Sequence, residues 1–199
     1  MSGDRAVFVD RDGVINELRY VGEEGRIETP TTPRQFRLLP GVGRGISALQ
    51  RAGFQVIIIS NQPGIAKGQF TQRVFERIQA RQAQLLLRAG VRLDGAYYCL
   101  HHPAAVKRVY RKRCACRKPK PGLLLKAATE RRLDLSGSFM VGDGLVDVQA
   151  GQHAGCRTIL VGHVSSLLTR LMQRKQLFPA CVAENFQEAV EHILANVSA

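Results

Sequence analysis

The run Val7-Phe8-Val9-Asp10-Arg11-Asp12-Gly13 constrains this chain more than any other stretch. Apolar residues lead directly into two carboxylates one residue apart, then into a glycine. So short an apolar run suits a strand buried on both faces of a parallel sheet. In open α/β sheets, ligands bind beyond the carboxyl ends of the strands. Asp10 and Asp12 therefore meet at the mouth of the sheet, on one side if strand geometry persists there. Two acids so close repel unless a cation joins them or one takes a proton. Mg²⁺ meets that demand, being held by one or two carboxylates with phosphate and water. On these residues alone, the alternative is a strand followed by an acidic turn.

The rest of the chain repeats the pattern. Strand-like runs at 5–10, 54–59, 96–100, 139–141 and 158–161, with a short one near 181, alternate with helix-like segments. The helices fall at 42–52, 71–89, 121–131, 145–154 and 185–196. Thr71 can cap the second, and Gly53 and Gly90 suit the positions just past two helix ends. This alternation predicts one α/β domain over 1–199, a doubly wound and mostly parallel sheet with helices on both faces. Residues 14–40 form a long polar entrance loop, and 162–179 carry no firm assignment. A connection as long as 14–40 is usually functional or mobile.

Polar residues collect at the strand ends. Ser60 and Asn61 follow the second strand, Arg117 and Lys118 precede the third helix, and Asp143 follows the fourth strand. Each has a plainer reading as a turn former, a surface lysine or a helix cap. Asp147 reads as an acid stabilising the start of the 145–154 helix. Their convergence on one sheet edge suits phosphoryl transfer, which needs a nucleophile, a cation clamp and donors around the phosphate oxygens. Asp10 can attack phosphorus and Asp12 can protonate the leaving oxygen and then activate water. Asp143 can complete a Mg²⁺ site with Asp10 and a backbone carbonyl. Ser60, Asn61 and Lys118 can hold the phosphate.

Val-Phe-Val-Asp-Arg-Asp-Gly-Val-Ile-Asn, Ser-Asn-Gln-Pro-Gly-Ile-Ala-Lys-Gly, Cys-Arg-Lys-Pro-Lys-Pro-Gly and Val-Gly-Asp-Gly-Leu-Val-Asp resemble four motifs of haloacid-dehalogenase-superfamily phosphatases. More closely they resemble the group containing heptose-bisphosphate and histidinol phosphatases, over most of residues 5–165. The resemblance implies a Rossmann-like fold without a large cap domain. It implies Asp10 as nucleophile and Asp12 as acid/base. Mg²⁺ would be held by Asp10, the Asp12 carbonyl and Asp143. Ser60, Asn61 and Lys118 would bind the transferred phosphate, and Arg117 would contact substrate. The substrate implied is a small phosphorylated metabolite, a sugar phosphate before histidinol phosphate. A heptose product would feed surface-glycan or lipopolysaccharide synthesis. Gly144 departs from the group, which often has a larger residue there, commonly lysine.

Cys99, His101, Cys114 and Cys116 give a second signal, three sulfurs and one imidazole matching a closed tetrahedral Zn²⁺ site. A disulfide is the alternative. His101 is chosen over His102 because it matches the position in the resembled group. The resemblance also makes the 99–120 zinc loop the replacement for a cap. The zinc would be structural, fixing Arg117 and Lys118 just after Cys116. Cys156 and Cys181 read as buried apolar residues.

The net charge of +13 attracts acidic partners, and Lys107, Arg108, Arg111, Lys112, Arg113, Arg117, Lys118 and Lys120 cluster within 107–120. A basic nucleic-acid-binding protein or a nucleic-acid end phosphatase is thus the rival reading. Tyr110 alone interleaves with the cluster, which argues against a base-stacking strip. No apolar stretch reaches the length of a membrane span, and the chain opens without an apolar leader. The expectation is a cytoplasmic monomer without membrane attachment.

Overall fold

The computed structural model describes residues 3–22 and 25–196. Its elements run β1 (Arg5–Val9), β2 (Arg19–Val21), β3 (Arg26–Glu28), α1 (Val42–Arg51), β4 (Phe54–Asn61), α2 (Gln72–Arg88) and β5 (Gly95–Cys99). They continue with α3 (Gly122–Arg131), β6 (Phe139–Gly142), α4 (Leu145–Ala154), β7 (Arg157–Val161), α5 (Ser166–Lys175), β8 (Cys181–Ala183) and α6 (Phe186–Ala195). Six strands form one sheet in the order β5-β4-β1-β6-β7-β8, every neighbouring pair parallel. The chain winds outward from β1 in one direction through β4 and β5, and from β6 in the other. The crevice where the order reverses lies at the carboxyl ends of β1 and β6, where α/β sheets place their ligands.

Both faces of the sheet are buried, as the apolar runs require. Along β1, Val7 and Val9 face one core, while Ala6 and Phe8 face the other. Along β4, Val56 and Ile58 join the first, Ile57 and Ile59 the second. The first core is closed by Ile46 and Leu49 of α1 and by Phe186, Val190 and Ile193 of α6. The second is closed by Leu123, Leu124 and Ala127 of α3 and by Ala150 and Ala154 of α4. The doubly wound α/β expectation holds in this arrangement.

The long connection 14–40 is not structureless. It carries the antiparallel hairpin β2–β3, with Arg19 opposite Glu28, and a 3-10 turn at Pro33–Gln35. The unassigned stretch 162–179 contains α5, whose first turn is capped by Ser165 Oγ accepting from Leu168 N at 3.2 Å. Thr71 caps α2 as expected, its Oγ1 accepting from Val74 N at 3.3 Å. β4 runs two residues beyond the expected strand because Ser60 and Asn61 still pair with Tyr98 and Cys99 of β5. Among the described residues no large cap covers the crevice, and no helix is long and apolar enough to cross a membrane.

The crevice is packed tightly from below. A Cβ on Gly142, the last residue of β6, would collide with the Asp147 side chain on α4. Gly142→Ala should therefore cost about 1–3 kcal/mol, the usual penalty of overpacking. Urea denaturation will measure it, and an unchanged midpoint would show that α4 can move aside.

Candidate active site

Asp10 lies just beyond β1, with its backbone N–H donating to Val141 O of β6 at 2.8 Å. Asp143 follows β6, and Asp147 lies in the first turn of α4. One carboxylate oxygen from each of Asp10, Asp143 and Asp147 falls within 4.8 Å of the others. Gly13 permits this approach. Its φ of +82° suits glycine, and any Cβ there would strike Asp143.

Lys118, just ahead of α3, enters the trio. Its ammonium lies 2.8 Å from Asp10 Oδ1, 2.5 Å from Asp147 Oδ1 and donates to Ile59 O at 2.7 Å. The residue is only 3% exposed. Burial alone would strip its proton, but Asp10 and Asp147 outweigh that and hold its pKa above the ordinary lysine value. The acids respond oppositely. Burial, then repulsion by Asp10 and Asp147, pushes Asp143 up to about 7. Burial lifts Asp147 to about 6, against the pull of Lys118. Three clustered carboxylates facing one ammonium are short of positive charge. Their oxygen-only donor set fits a hard divalent cation such as Mg²⁺.

Asp12 stands outside the trio. Its Oδ1 accepts from Arg11 Nη2 at 2.9 Å and Asn16 Nδ2 at 3.0 Å, and its Oδ2 from Arg11 Nη2 at 3.0 Å and Gln62 Nε2 at 2.6 Å. Gln62 Nε2 also donates to Ser60 Oγ at 3.0 Å, tying the second motif to the first. The Asn61 side chain grips the backbone of Lys118 from both sides. Its Nδ2 donates to Lys118 O and its Oδ1 accepts from Lys118 N, each at 3.1 Å. Asn61 thus positions Lys118. Arg117 donates to His101 O at 3.3 Å. With Lys112, Arg113 and Lys120 it lines a cavity of about 250 Å³ that reaches Lys118.

The second cluster also assembles. The ligand atoms of Cys99, His101, Cys114 and Cys116 all lie within 4.8 Å of one another. Sulfur–sulfur distances are 3.1 Å from Cys116 to Cys99 and to Cys114, and 3.6 Å from Cys99 to Cys114. His101 Nδ1 is 3.4 Å from Cys116 Sγ. A disulfide needs about 2.05 Å, and all the cysteines are free. The edges of a tetrahedron around a metal with about 2.3 Å bonds to sulfur are near 3.8 Å, so this set could hold one. His102 is turned elsewhere, its Nδ1 accepting from Ala104 N at 3.1 Å. Burial opposes ionisation of Cys114, but hydrogen bonds from Cys116 and Cys99 bring its pKa below the usual thiol value. Cys156 is buried in the same core as Cys99 but is not one of the four clustered ligands, and Cys181 is half-buried rather than buried as expected.

Sequence reasoning passed over Asp147 as a member of the site. Its helix-start role is real, since Gly144 N donates to its Oδ2 at 3.1 Å. The same carboxylate is 1% exposed and pairs with Lys118, which that role alone does not require. Its spacing of one helical turn from Asp143 was the available signal. Arg11, Asn16 and Gln62 were also missed as the scaffold of Asp12.

Comparisons with known proteins agree with this geometry. A family model described as HAD-hydrolase-like matches residues 115–189. The D-glycero-beta-D-manno-heptose-1,7-bisphosphate 7-phosphatase of Photorhabdus laumondii is 42% identical over 149 residues, covering 74% of either chain. That of Vibrio cholerae is 33% identical over 190 residues, covering 95% of this chain and 96% of its own. Among solved structures, D,D-heptose 1,7-bisphosphate phosphatase from B. bronchiseptica, complexed with magnesium and phosphate, has a TM-score of 0.77. It is 28% identical, and the match covers 96% of this chain and 99% of that one. The chain belongs to the haloacid-dehalogenase-like phosphatases, Mg²⁺-dependent phosphomonoester hydrolases. Within them it is closely related to the heptose-bisphosphate phosphatases.

Below about pH 7 Asp143 carries a proton that an incoming ion must displace. Calorimetry should therefore show Mg²⁺ affinity falling about tenfold from about pH 8 to about pH 6. An affinity flat across that range would remove Asp143 as a ligand of the ion.

Proposed function

We propose that the whole chain acts as one phosphatase domain that removes the 7-phosphate of D-glycero-beta-D-manno-heptose 1,7-bisphosphate. The observation that carries the chemistry is the buried Lys118 bridging Asp10 and Asp147 beside Asp143. Asp10 is the nucleophile: one oxygen is held by Lys118, and the other attacks phosphorus. The bond from phosphorus to the leaving oxygen breaks as Asp12 gives that oxygen a proton. An aspartyl-phosphate remains on Asp10. Asp12 then takes a proton from water, whose oxygen attacks phosphorus and releases Asp10 and inorganic phosphate. Substrate entry must displace one of the donors on Asp12 to free an oxygen for this role. Ser60 and Lys118 contact the transferred phosphate, Asn61 fixes Lys118, and Arg117 reaches the rest of the substrate.

Asp10, Asp143 and the Asp12 carbonyl would hold Mg²⁺, which supplies positive charge to the phosphoryl oxygens as charge develops on them. Cys99, His101, Cys114 and Cys116 would hold Zn²⁺ with no open position, as a structural ion stiffening the segment that delivers Arg117 and Lys118. Free thiols that form a metal set also favour a reducing, cytoplasmic setting.

The substrate follows from the curated relatives, and one feature of the entrance supports it. The wall formed by Lys112, Arg113, Arg117 and Lys120 favours a substrate with a second anionic group. Histidinol phosphate, with one phosphate and a cationic amine, would gain less from that wall than a bisphosphate. Nucleic acid fits less well, because Tyr110 packs on His101, with ring centroids 6.5 Å apart, and offers no stacking platform. The sugar product would enter carbohydrate metabolism of the lipopolysaccharide type.

Asp10→Asn should lower turnover of the heptose bisphosphate by at least about 10³-fold, with the circular-dichroism spectrum unchanged. Retained turnover would place the nucleophile elsewhere. Metal analysis of purified protein should find about one zinc per chain, and stripping it should lower the melting temperature. Fully active, equally stable protein without zinc would refute the structural role.

A further inference from the structure

The carboxylate trio is flanked by two unlike walls. On the Lys118 side stand the cations around Arg117. On the β7 side, Asp143 and Gly13 open into a cavity of about 310 Å³ that also touches Leu18, His163, Leu168 and Glu184. This cavity shares Gly13, Val161 and Glu184 with a neighbour of about 470 Å³ that extends to Arg44 and Gln187. The two make one groove running from Asp143 past the carboxyl ends of β7 and β8.

The groove presents acceptors. Among the described residues the Glu184 carboxylate pairs with no cation and accepts no hydrogen bond, although the residue is fixed by its backbone N–H donating to Glu188 Oε2 at 2.7 Å. His163 is exposed and likewise unpartnered. Gln187 spends its Nε2 on Glu191 at 3.3 Å, which leaves its Oε1 buried without a donor. A buried acceptor with no partner calls for one. Arg44 at the far end is the groove's one Lys or Arg, and Glu184 offsets its charge, so the groove has no net pull on a second phosphate. Asp143 lines the groove and belongs to the carboxylate cluster with Asp10, so the groove begins beside the phosphate-transfer site.

We infer that this groove reads the uncharged, hydroxyl-rich body of the substrate, with Glu184 and Gln187 accepting hydrogen bonds from sugar hydroxyls. The inference rests on the phosphatase reading above and assigns specificity to the ends of β7 and β8. Hydroxyls satisfy carboxylate and amide oxygens without adding charge, and a site built to bond them discriminates strongly against substrates that lack them. An aryl phosphate has no such groups and gains nothing here.

The test compares steady-state kinetics on heptose 1,7-bisphosphate and on p-nitrophenyl phosphate, with Mg²⁺ present, for the unaltered protein, Glu184→Ala, Glu184→Gln and Gln187→Ala. The alanine variants should raise KM for the sugar about tenfold or more, while kcat/KM for the aryl phosphate stays within about twofold. Glu184→Gln keeps an acceptor oxygen and should lose less. The aryl phosphate also reports that each variant is folded. An unchanged sugar KM in both alanine variants overturns the inference and leaves the phosphatase reading standing. Equal losses on both substrates also overturn it, since a merely structural role would produce them. An unaltered protein inert toward both substrates removes the phosphatase reading and this inference with it.

Discussion

The site depends on one buried ammonium. Taking Lys118 out of water is costly, and only close, well-aimed partners offset the loss. Asp10 from the end of β1, Asp147 from α4 and the Ile59 carbonyl of β4 supply them. Asn61 fixes the backbone of the same lysine from the next residues of β4. One cation thus sets the spacing of segments more than a hundred residues apart in the chain. It also leaves the acids under-neutralised, which adds to burial in holding Asp143 above an ordinary carboxyl and gives a divalent ion a place to go.

Much of this was legible in the residues. Strands buried on both faces must be short and apolar throughout, and β1, β4 and β6 announce themselves that way. Because parallel strands share a carboxyl end, Asp10, Ser60 and Asp143 could be placed on one edge before any coordinates. What escaped has physical causes. Arg11 sits between two acids in the sequence and looks solvated. It is 0% exposed because Asp12 forks onto it and the Phe36 ring lies 5.7 Å from its guanidinium. Asp147 hid because one carboxylate serves both the helix start and Lys118. The hairpin β2–β3 has three-residue strands, too short for an alternation to show. α5 carries an apolar stripe of Leu168 and Met172 that packs on Val148, Leu160 and Leu177, a signal available in the sequence but passed over.

The two unusual features of the sequence, the cysteines and the excess of basic residues, belong to one segment. Cys116 is followed directly by Arg117 and Lys118. Whatever holds the sulfurs together also holds the register of the lysine that organises the acids. The cations of the same segment line a cavity that reaches Lys118, while the cavity that reaches Asp143 is lined by Glu184 and His163 and by no Lys or Arg. An asymmetry of this kind orients a substrate with charged and neutral portions before any chemistry begins.

The strand order has a consequence for the chain as it leaves the ribosome. β1 is synthesised first yet sits in the middle of the sheet, and one of its two neighbours, β6, begins only at Phe139. A nascent chain of half length can lay β4 and β5 beside β1, but the other edge of β1 stays open. Asp10 then waits in a half-built sheet with neither its ammonium nor its fellow acids. Translation must pass Lys118 before that charge is balanced and Asp147 before the cluster is whole, so competence for chemistry arrives late, through long-range parallel pairings that are slow to form.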